Sequence, residues 1–256
     1  MIAHNLLITG ASGGIGAALA RVYAVPGSRL VLWGRNEERL ADIAAQCRAR
    51  GASCETAAFD LTDFDRLAAA LEAADANNPF DLVILNAGVG GSLPRDRAAQ
   101  DVLLARAMAG ANFTAPIVAA NLMAGRMARR GRGRIVLVGS VAAFYPLPMA
   151  PVYAGSKAGL ALFAEALGLR LAPHGVGVTL VSPGFVDTAM SRSLNEPRPF
   201  LMTADAAAAA IARKIERGAR HIVVPWQFAI IRAAARLIPR AIVRAVLSWL
   251  LRNTPD

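Results

Sequence analysis

The chain has 256 residues and 55% of them are hydrophobic, which is enough for one large α/β domain with a sizeable core and argues against global disorder. Its formal net charge is +10, supplied almost wholly by arginine, which suits an anionic partner or reflects an arginine- and alanine-rich composition. No basic run is interleaved with aromatic residues, so we expect no nucleic-acid partner. The two cysteines and three scattered histidines predict no metal site and suit a reducing cytoplasm.

Short, continuously apolar runs alternate with helical patterns along the chain, as is typical of parallel strands covered on both faces. The alternation predicts an α/β fold: a single doubly wound Rossmann-type domain with a mainly parallel, seven-stranded sheet. The predicted strands are 5–9, 29–33, 53–60, 81–85, 134–138, 177–181 and 221–225. The main predicted helices are 36–50, 63–75, 98–130 and 153–172.

The first predicted strand runs directly into a glycine-rich turn, Thr9-Gly-Ala-Ser-Gly-Gly-Ile-Gly16, that opens a helix. Gly10, Gly14 and Gly16 allow a tight turn and a close approach of backbone to ligand. The amide groups at the start of the following helix suit a pyrophosphate. A glycine-rich turn in this context predicts a dinucleotide site.

The end of the second predicted strand discriminates between the two nicotinamide cofactors. A carboxylate usually binds the ribose 2′-hydroxyl there, but this chain has Trp33-Gly34-Arg35-Asn36. The guanidinium of Arg35 suits a 2′-phosphate, so we expect NADP, with NAD less favoured. The alternative is that Arg35 is a solvated residue at the start of a helix.

The sequence Tyr153-Ala-Gly-Ser-Lys157 places a phenol and an ammonium on one face of a predicted helix. A nearby cation stabilises a phenolate and lowers the pKa of tyrosine, which makes it a usable acid or base. Ser140 follows the preceding strand, thirteen residues before Tyr153. These three residues are candidates for one catalytic site.

Together with these motifs, Asp60-Leu61, Asn86-Ala87-Gly88, Asn112 and Pro183-Gly184 with Thr188 occur in an order and spacing that resemble the short-chain dehydrogenases/reductases of about 250 residues. The chain departs from the family pattern at Leu85, where asparagine is frequent. It also has Gly13 where many NADP-preferring members carry a basic residue. The resemblance implies an oxidoreductase that interconverts a carbonyl and a secondary alcohol.

The resemblance also implies a role for each matching residue. Tyr153 would be the general acid or base, Lys157 would lower its pKa and hold the nicotinamide ribose, Ser140 would polarise the substrate oxygen, and Asn112 would kink its helix and support a proton relay. The residues implied to contact the cofactor are Gly10, Ser12, Gly14, Ile15, Gly16, Arg35, Asp60, Leu61, Asn86, Ala87, Gly88, Tyr153, Lys157, Pro183, Gly184 and Thr188.

The segment between Ser140 and Tyr153 is apolar, with Phe144, Leu147 and Met149 as candidate walls of the substrate site. We expect a lipophilic or lipid-linked substrate; the alternative is that these apolar loops only pack together. Within the catalytic domain, 1–225, residues 186–218 are expected to form a substrate lid. Two other functions stay open: an NAD-dependent alcohol or sugar dehydrogenase, and a catalytically silent dinucleotide-binding scaffold.

Residues 226–256 form an extension in which arginines stand at 232, 236, 240 and 244 among apolar residues. The pattern predicts two amphipathic helices, 227–238 and 240–251, and no transmembrane span, because every long apolar stretch contains an arginine. Residues 226–252 either contact an anionic membrane surface peripherally or pack against the domain or a partner subunit. The expected location is the cytoplasm, at the inner face of the membrane in the first case. The resemblance implies a homodimer or tetramer that pairs through 98–130 and 153–172.

Overall fold

Every predicted strand is present in the computed structural model, which describes residues 4–94, 96–192, 197–235 and 238–253. The strands are β1 (Asn5–Thr9), β2 (Arg29–Gly34), β3 (Ser53–Ala58), β4 (Leu82–Leu85), β5 (Arg134–Val138), β6 (Gly177–Pro183), β7 (Val186–Asp187), β8 (Met202–Thr203) and β9 (His221–Val224). Seven of them form one sheet in the order β3-β2-β1-β4-β5-β6-β9, and the pairs in it are parallel. The short strands β7 and β8 pair separately.

The helices lie on both faces of this sheet, which is the doubly wound arrangement predicted from the sequence. They are α1 (Gly14–Tyr23), α2 (Glu37–Arg48), α3 (Phe64–Asn77), α4 (Val102–Ala109), α5 (Ala115–Arg130), α6 (Pro151–Leu171), α7 (Ala189–Arg192), α8 (Ala204–Glu216), α9 (Gln227–Ala235) and α10 (Arg240–Asn253). Residues of α1, α2 and α8 share one core, and residues of α3, α5 and α6 share the other.

The central strand β1 shows why the strands read as continuous apolar runs. Leu6 and Ile8 are fully buried in the core beside α1, while Leu7, between them, is fully buried in the core on the opposite face. Successive side chains of a strand point to opposite faces, so a strand covered twice must be apolar at every position. Two buried cores therefore hold the carboxyl ends of the strands in fixed register.

The long helix predicted over 98–130 is interrupted in the structure. A five-residue π-helical turn, Gly110–Thr114, separates α4 from α5, and Asn112 lies within it. Such turns are rare and are frequently found at functional sites. By length and composition only, Val102–Arg130 would also suit a membrane span, but one face of α5 is buried against the sheet.

The proposed lid is shorter than the predicted range of 186–218. Helix α8 buries Ala208, Ile211 and Ile215 in the core that contains α1, so residues 204–216 belong to the body of the domain. The segment proposed as a lid therefore ends before Ala204. Its residues 193–196, and residues 236 and 237 of the extension, lie outside the part of the chain that the structure describes.

Candidate active site

The glycine turn after β1 has the backbone conformation that its sequence requires. Gly10 and Gly14 have φ angles of +67° and +54°, in the left-handed region that favours glycine. A Cβ atom on Gly16 would collide with the carbonyl oxygen of Gly10 and lie 2.6 Å from the side-chain nitrogen of Asn86. The turn and the start of α1 therefore pack too closely for any side chain at Gly16.

Asn86 joins the two strand ends on which this turn is built. Its Nδ2 donates to the carbonyl oxygens of Thr9 and Gly10, at 3.1 and 3.2 Å. The hydroxyl of Thr9 in turn accepts from the backbone amides of Asn86 and Ala87, at 3.0 and 3.2 Å. The motifs at 9–16 and 86–88, far apart in sequence, thus form one hydrogen-bonded platform.

The residues expected to hold the adenosine part lie beside this platform. The Ser12 side chain packs on Gly34, where a Cβ would meet its hydroxyl at 3.0 Å, and the exposed Arg35 follows directly. Hydrogen bonds from the backbone and side chain of Thr62 hold the pKa of Asp60 below its usual range, and the charge of Arg35 adds to this effect. Arg35 and the ionised Asp60 therefore lie near each other at the ends of β2 and β3.

Leu61 and Ala87 line one narrow cleft together with Thr9, close to the glycine turn. Leu61 is almost fully buried, and Ile15 is half-buried against the core behind the turn. The structure therefore brings the predicted adenosine contacts to the same edge of the sheet.

Gly88, Asn112 and Lys157 meet at the next strand end. A Cβ on Gly88 would lie 2.9 Å from Oδ1 of Asn112 and 3.5 Å from Nζ of Lys157. Asn112 is fully buried; its Oδ1 accepts from the amide of Val89 at 2.7 Å and its Nδ2 donates to the carbonyl of Val89 at 2.8 Å. The π-helical turn thus holds the Asn112 side chain against the loop after β4, as the kink predicted at this residue requires.

Lys157 is buried next to Tyr153. Its Nζ donates to the carbonyl of Val138 at 2.9 Å and lies 5.9 Å from the centre of the Tyr153 ring. Burial lowers the pKa of Lys157 to about 8, because the charged ammonium is removed from water. The ammonium is still mostly protonated at neutral pH.

Tyr153 and Ser140 form the hydroxyl pair of the site. Burial raises the pKa of Tyr153, and the hydrogen bond with the Ser140 side chain opposes that shift only in part. The lowered tyrosine pKa expected from the nearby cation is therefore not found here, because the loss of hydration outweighs the hydrogen bond. Ser140 also accepts from the amide of Ala142 at 3.1 Å, which fixes its side chain at the end of β5.

The segment after β6 contacts both the glycine turn and the loop after β4. Pro183 is buried at the end of β6, and the amide of Gly184 donates to the carbonyl of Val224 at 2.7 Å. A Cβ on Gly14 would meet the side chain of Thr188 at 3.0 Å, so this expected nicotinamide contact lies on the glycine turn. In the lid, the side chain of Met190 packs on Gly90, where a Cβ would meet it at 2.7 Å.

The candidate substrate walls are half-buried in the segment 141–149. Met149 is tied to the loop after β4, since its carbonyl accepts from the amide of Leu93 at 2.7 Å. The carbonyl of Leu147 accepts from Ala150 at 3.1 Å. The guanidinium of Arg232 lies over the Phe144 ring, with its carbon 4.4 Å from the ring centre.

Two residues of α9, Phe228 and Arg232, lie beside the candidate substrate walls and were missed by sequence reasoning. We call the surface that they form with Phe144 and Gly184 the substrate entrance. The Phe228 ring lies on Gly184 so closely that a Cβ there would collide with it. Arg232 was expected in an outward arginine stripe, but it is half-buried and packs on Phe144. The two residues stand one helical turn apart, and that spacing was the only available signal.

Comparisons with known proteins give one consistent result. The family model described as short chain dehydrogenase matches residues 4–199. An uncharacterized oxidoreductase of Myxococcus xanthus is 34% identical over 243 residues, which cover 94% of this chain and 95% of that protein. A short-chain dehydrogenase from Sphingobium yanoikuyae, solved in complex with NADPH, is 28% identical with a TM-score of 0.79, covering 98% of this chain and 96% of that one. A bulky-bulky ketone specific alcohol dehydrogenase from Comamonas testosteroni is 26% identical with a TM-score of 0.77, covering 100% and 96%.

Proposed function

The chain belongs to the short-chain dehydrogenase family, and we propose that it is an NADP(H)-dependent oxidoreductase that interconverts a carbonyl and a secondary alcohol, with Tyr153 as general acid or base. One observation carries the proposal: the ring of Tyr153 lies 5.9 Å from the buried ammonium of Lys157, and the Ser140 side chain lowers the pKa of Tyr153 against the effect of burial. A dinucleotide-binding scaffold needs no tyrosine and serine at these positions, and a buried cation with a shifted pKa is typical of a functional site.

The residues around the glycine turn fit a dinucleotide. Gly10 and Gly16 leave no space for a Cβ atom, so the turn packs closely on the loop after β4 and on the start of α1. The amides at the start of α1 suit a pyrophosphate. When bound, the nicotinamide supplies or accepts the hydride. Pro183, Gly184 and Thr188 would border its ring.

The chain's own residues handle the proton. In carbonyl reduction, Tyr153 Oη donates its proton to the substrate oxygen while the Ser140 hydroxyl hydrogen-bonds to the same atom. Lys157 then stabilises the phenolate that is left, and Asn112 fixes the loop beside the ammonium. The raised pKa of Tyr153 keeps its hydroxyl protonated at neutral pH, as a general acid must be before it donates its proton in the reduction.

Two observations support NADP(H) over NAD(H). Arg35 is exposed directly after β2, where a guanidinium can pair with a 2′-phosphate. The Sphingobium yanoikuyae relative was solved with NADPH. The rival, an NAD-linked alcohol or sugar dehydrogenase, predicts equal or faster turnover with NADH, which a comparison of the two cofactors at fixed substrate measures directly.

The aromatic entrance supports a lipophilic or lipid-linked substrate. Phe144 and Phe228 border it, and the Comamonas testosteroni relative is described as specific for bulky-bulky ketones. In a panel of ketones of graded size, kcat/KM should rise with apolar bulk. Activity restricted to polar sugars or short ketones would reject this substrate class.

We further propose a homo-oligomer and a peripheral membrane location. Large apolar residues are exposed on α4 and α6, the helices predicted to pair. They are Val102 (70% exposed), Leu103 (73%), Leu162 (71%) and Leu169 (67%). Light scattering of the purified protein tests the oligomer. The membrane location depends on residues 226–252.

The catalytic proposal is tested with Tyr153→Phe, which removes only the hydroxyl. Turnover with NADPH and a bulky ketone should fall by roughly 1,000-fold, within the range of general acid catalysis, while the Kd for NADPH changes by less than about threefold. Tyr23→Phe, at a buried tyrosine near the end of α1 and outside the site, is the matched control and should keep its activity. A Tyr153→Phe protein with full turnover would refute the mechanism. A wild-type protein that binds NADPH but turns over no ketone would leave the scaffold function as the better account.

A further inference from the structure

The first helix of the extension has its inner side at the substrate entrance. Phe228 lies on Gly184 and packs edge-on against Phe200, with ring centres 5.6 Å apart, and against Phe185 at 6.3 Å. Phe200 stands in the proposed lid, and Phe185 precedes it. Phe228 thus contacts a residue just before the lid segment and a residue near the end of that segment.

One turn further along, α9 contacts the other side of the entrance, which Phe144 and Tyr145 form. The guanidinium of Arg232 covers the Phe144 ring at 4.4 Å, and its Nη1 lies 3.1 Å from Nδ1 of His221. The hydroxyl of Tyr145 donates to the carbonyl of Ile231 at 3.3 Å. The extension therefore touches the lid with one turn and the predicted substrate wall with the next.

The outer side of the same extension is apolar and exposed. Counting the residues just before each helix, exposed apolar residues stand four positions apart on α9 and again on the described part of α10. They are Trp226 (62% exposed), Ile230 (58%), Ile238 (43%), Ile242 (52%) and Val246 (50%). An apolar stripe of this length on a surface marks an interaction site.

Charge decides which partner suits the stripe. Residues 226–256 contain five arginines and one aspartate, a net charge of +4. A two-fold dimer through this segment would place the same positive charges against each other, which opposes a second copy of the chain. An anionic lipid surface satisfies both features, because it accepts apolar side chains below its head groups and attracts arginines at them.

We propose that residues 226–253 dock on an anionic bilayer, and that α9 thereby places the substrate entrance at the lipid surface. A lipophilic substrate then passes from the bilayer to Tyr153 along the side bordered by Phe228 and Phe144. This inference rests on the proposed carbonyl chemistry for its substrate and on the exposed stripe for its docking.

Docking is tested by flotation of the full-length protein with vesicles of phosphatidylcholine, alone or with phosphatidylglycerol. Binding to the anionic vesicles alone is expected, and Ile242→Glu/Val246→Glu should reduce the bound fraction at least tenfold. The control Val22→Glu/Val25→Glu makes the same charge change at exposed residues outside the extension and should bind like wild type. Wild-type protein that fails to float, or two double variants that float equally, would overturn the docking.

The link to the entrance is tested by turnover of a long-chain ketone dissolved in the vesicles and of a water-soluble ketone. Anionic vesicles should raise kcat/KM at least fivefold for the first ketone and leave the second unchanged, and Ile242→Glu/Val246→Glu should remove that gain. No gain in wild type would refute the link. Tyr153→Phe protein should still float, so failure of the chemistry and failure of the docking give different results.

If the exposed apolar residues of the extension instead contact a second copy of the chain, the protein will be a dimer that Ile242→Glu/Val246→Glu dissociates. This result would also overturn the proposal.

Discussion

The cofactor side and the substrate side of the site are built by different means. On the cofactor side, Gly10, Gly16 and Asn86 form a backbone platform directly after β1 and β4. On the substrate side, side chains from remote segments meet, as where Arg232 packs on Phe144. The first side depends on glycines that no other residue can replace. The second depends on packing. Between the two sides lies Lys157, a buried cation whose desolvation costs stability.

The largest effect that separates the two sides is expected from Lys157→Met. Loss of the ammonium leaves the Tyr153 phenolate unstabilised, so kcat should fall by roughly 1,000-fold. The fold should not suffer, because burial lowers the pKa of Lys157 from 10.5 to about 8 and the charged form is disfavoured in the folded state. A pKa difference of this size corresponds to about 3 kcal/mol of free energy of unfolding, which the fold would gain when the charge is removed. Loss of the hydrogen bond to Val138 offsets part of that gain.

The sign of the pH dependence follows from the same shift. Between about pH 8 and 10.5 the unfolded chain binds the proton that folded Lys157 has lost, so the free energy of unfolding of the wild type rises with pH across that window. Urea unfolding of Lys157→Met should lack this rise and match or exceed wild-type stability at pH 7. Lys214→Met, which changes the chain's other lysine, should keep both activity and the rise. A large destabilisation by Lys157→Met at pH 7 would show that the ammonium supports the fold.

A second, smaller effect probes the cofactor side through Gly16→Ala. The added Cβ would meet the carbonyl of Gly10, a backbone atom that cannot move without opening the platform held by Asn86. The Kd for NADPH should rise by roughly 100-fold, the equivalent of about 2.7 kcal/mol.

The matched control for this change is Gly13→Ala in the same turn. Gly13 has an extended φ of 173°, and a Cβ there meets nothing within 4 Å. Its Kd should change less than about threefold by fluorescence titration. Thermal unfolding of both variants separates lost binding from lost folding. If the two variants bind NADPH alike, the close approach at Gly16 has no part in cofactor affinity.

The contrast between the two sides also explains what the sequence could predict. The seven strands and the motifs at 9–16, 86–88 and 153–157 could be found because burial on both faces and local turn geometry each require a residue pattern within a short window. Phe228 could not be assigned to the entrance, because its place on Gly184 depends on how α9 folds back over the end of β6.

Two other errors had the same origin in tertiary packing. The range 186–218 was too long for a lid, because the buried face of α8 becomes recognisable only when it is seen against α1. The pKa of Tyr153 was expected to fall, but the balance between burial and the Ser140 hydrogen bond is set by the packed site. Residue type and spacing identify the residues of the site, while their burial in the folded protein determines their pKa values.

The smallest expected effect concerns Arg35, where the cofactor side depends on a side chain rather than on the backbone. Its guanidinium is exposed, and it also acts on the ionised Asp60, so part of its charge is already balanced. Arg35→Ala should therefore raise the Kd for NADPH by only about tenfold, at the lower end for a hydrogen bond to a charged group, and leave the Kd for NADH unchanged. Arg39→Ala, at an exposed arginine in the helix that follows, α2, should change neither constant. The loss should shrink as salt is raised, because exposed charges are screened. Equal losses for NADPH and NADH would mean that Arg35 orders the loop after β2 instead of recognising the 2′-phosphate, and the preference for NADP(H) would then need another source.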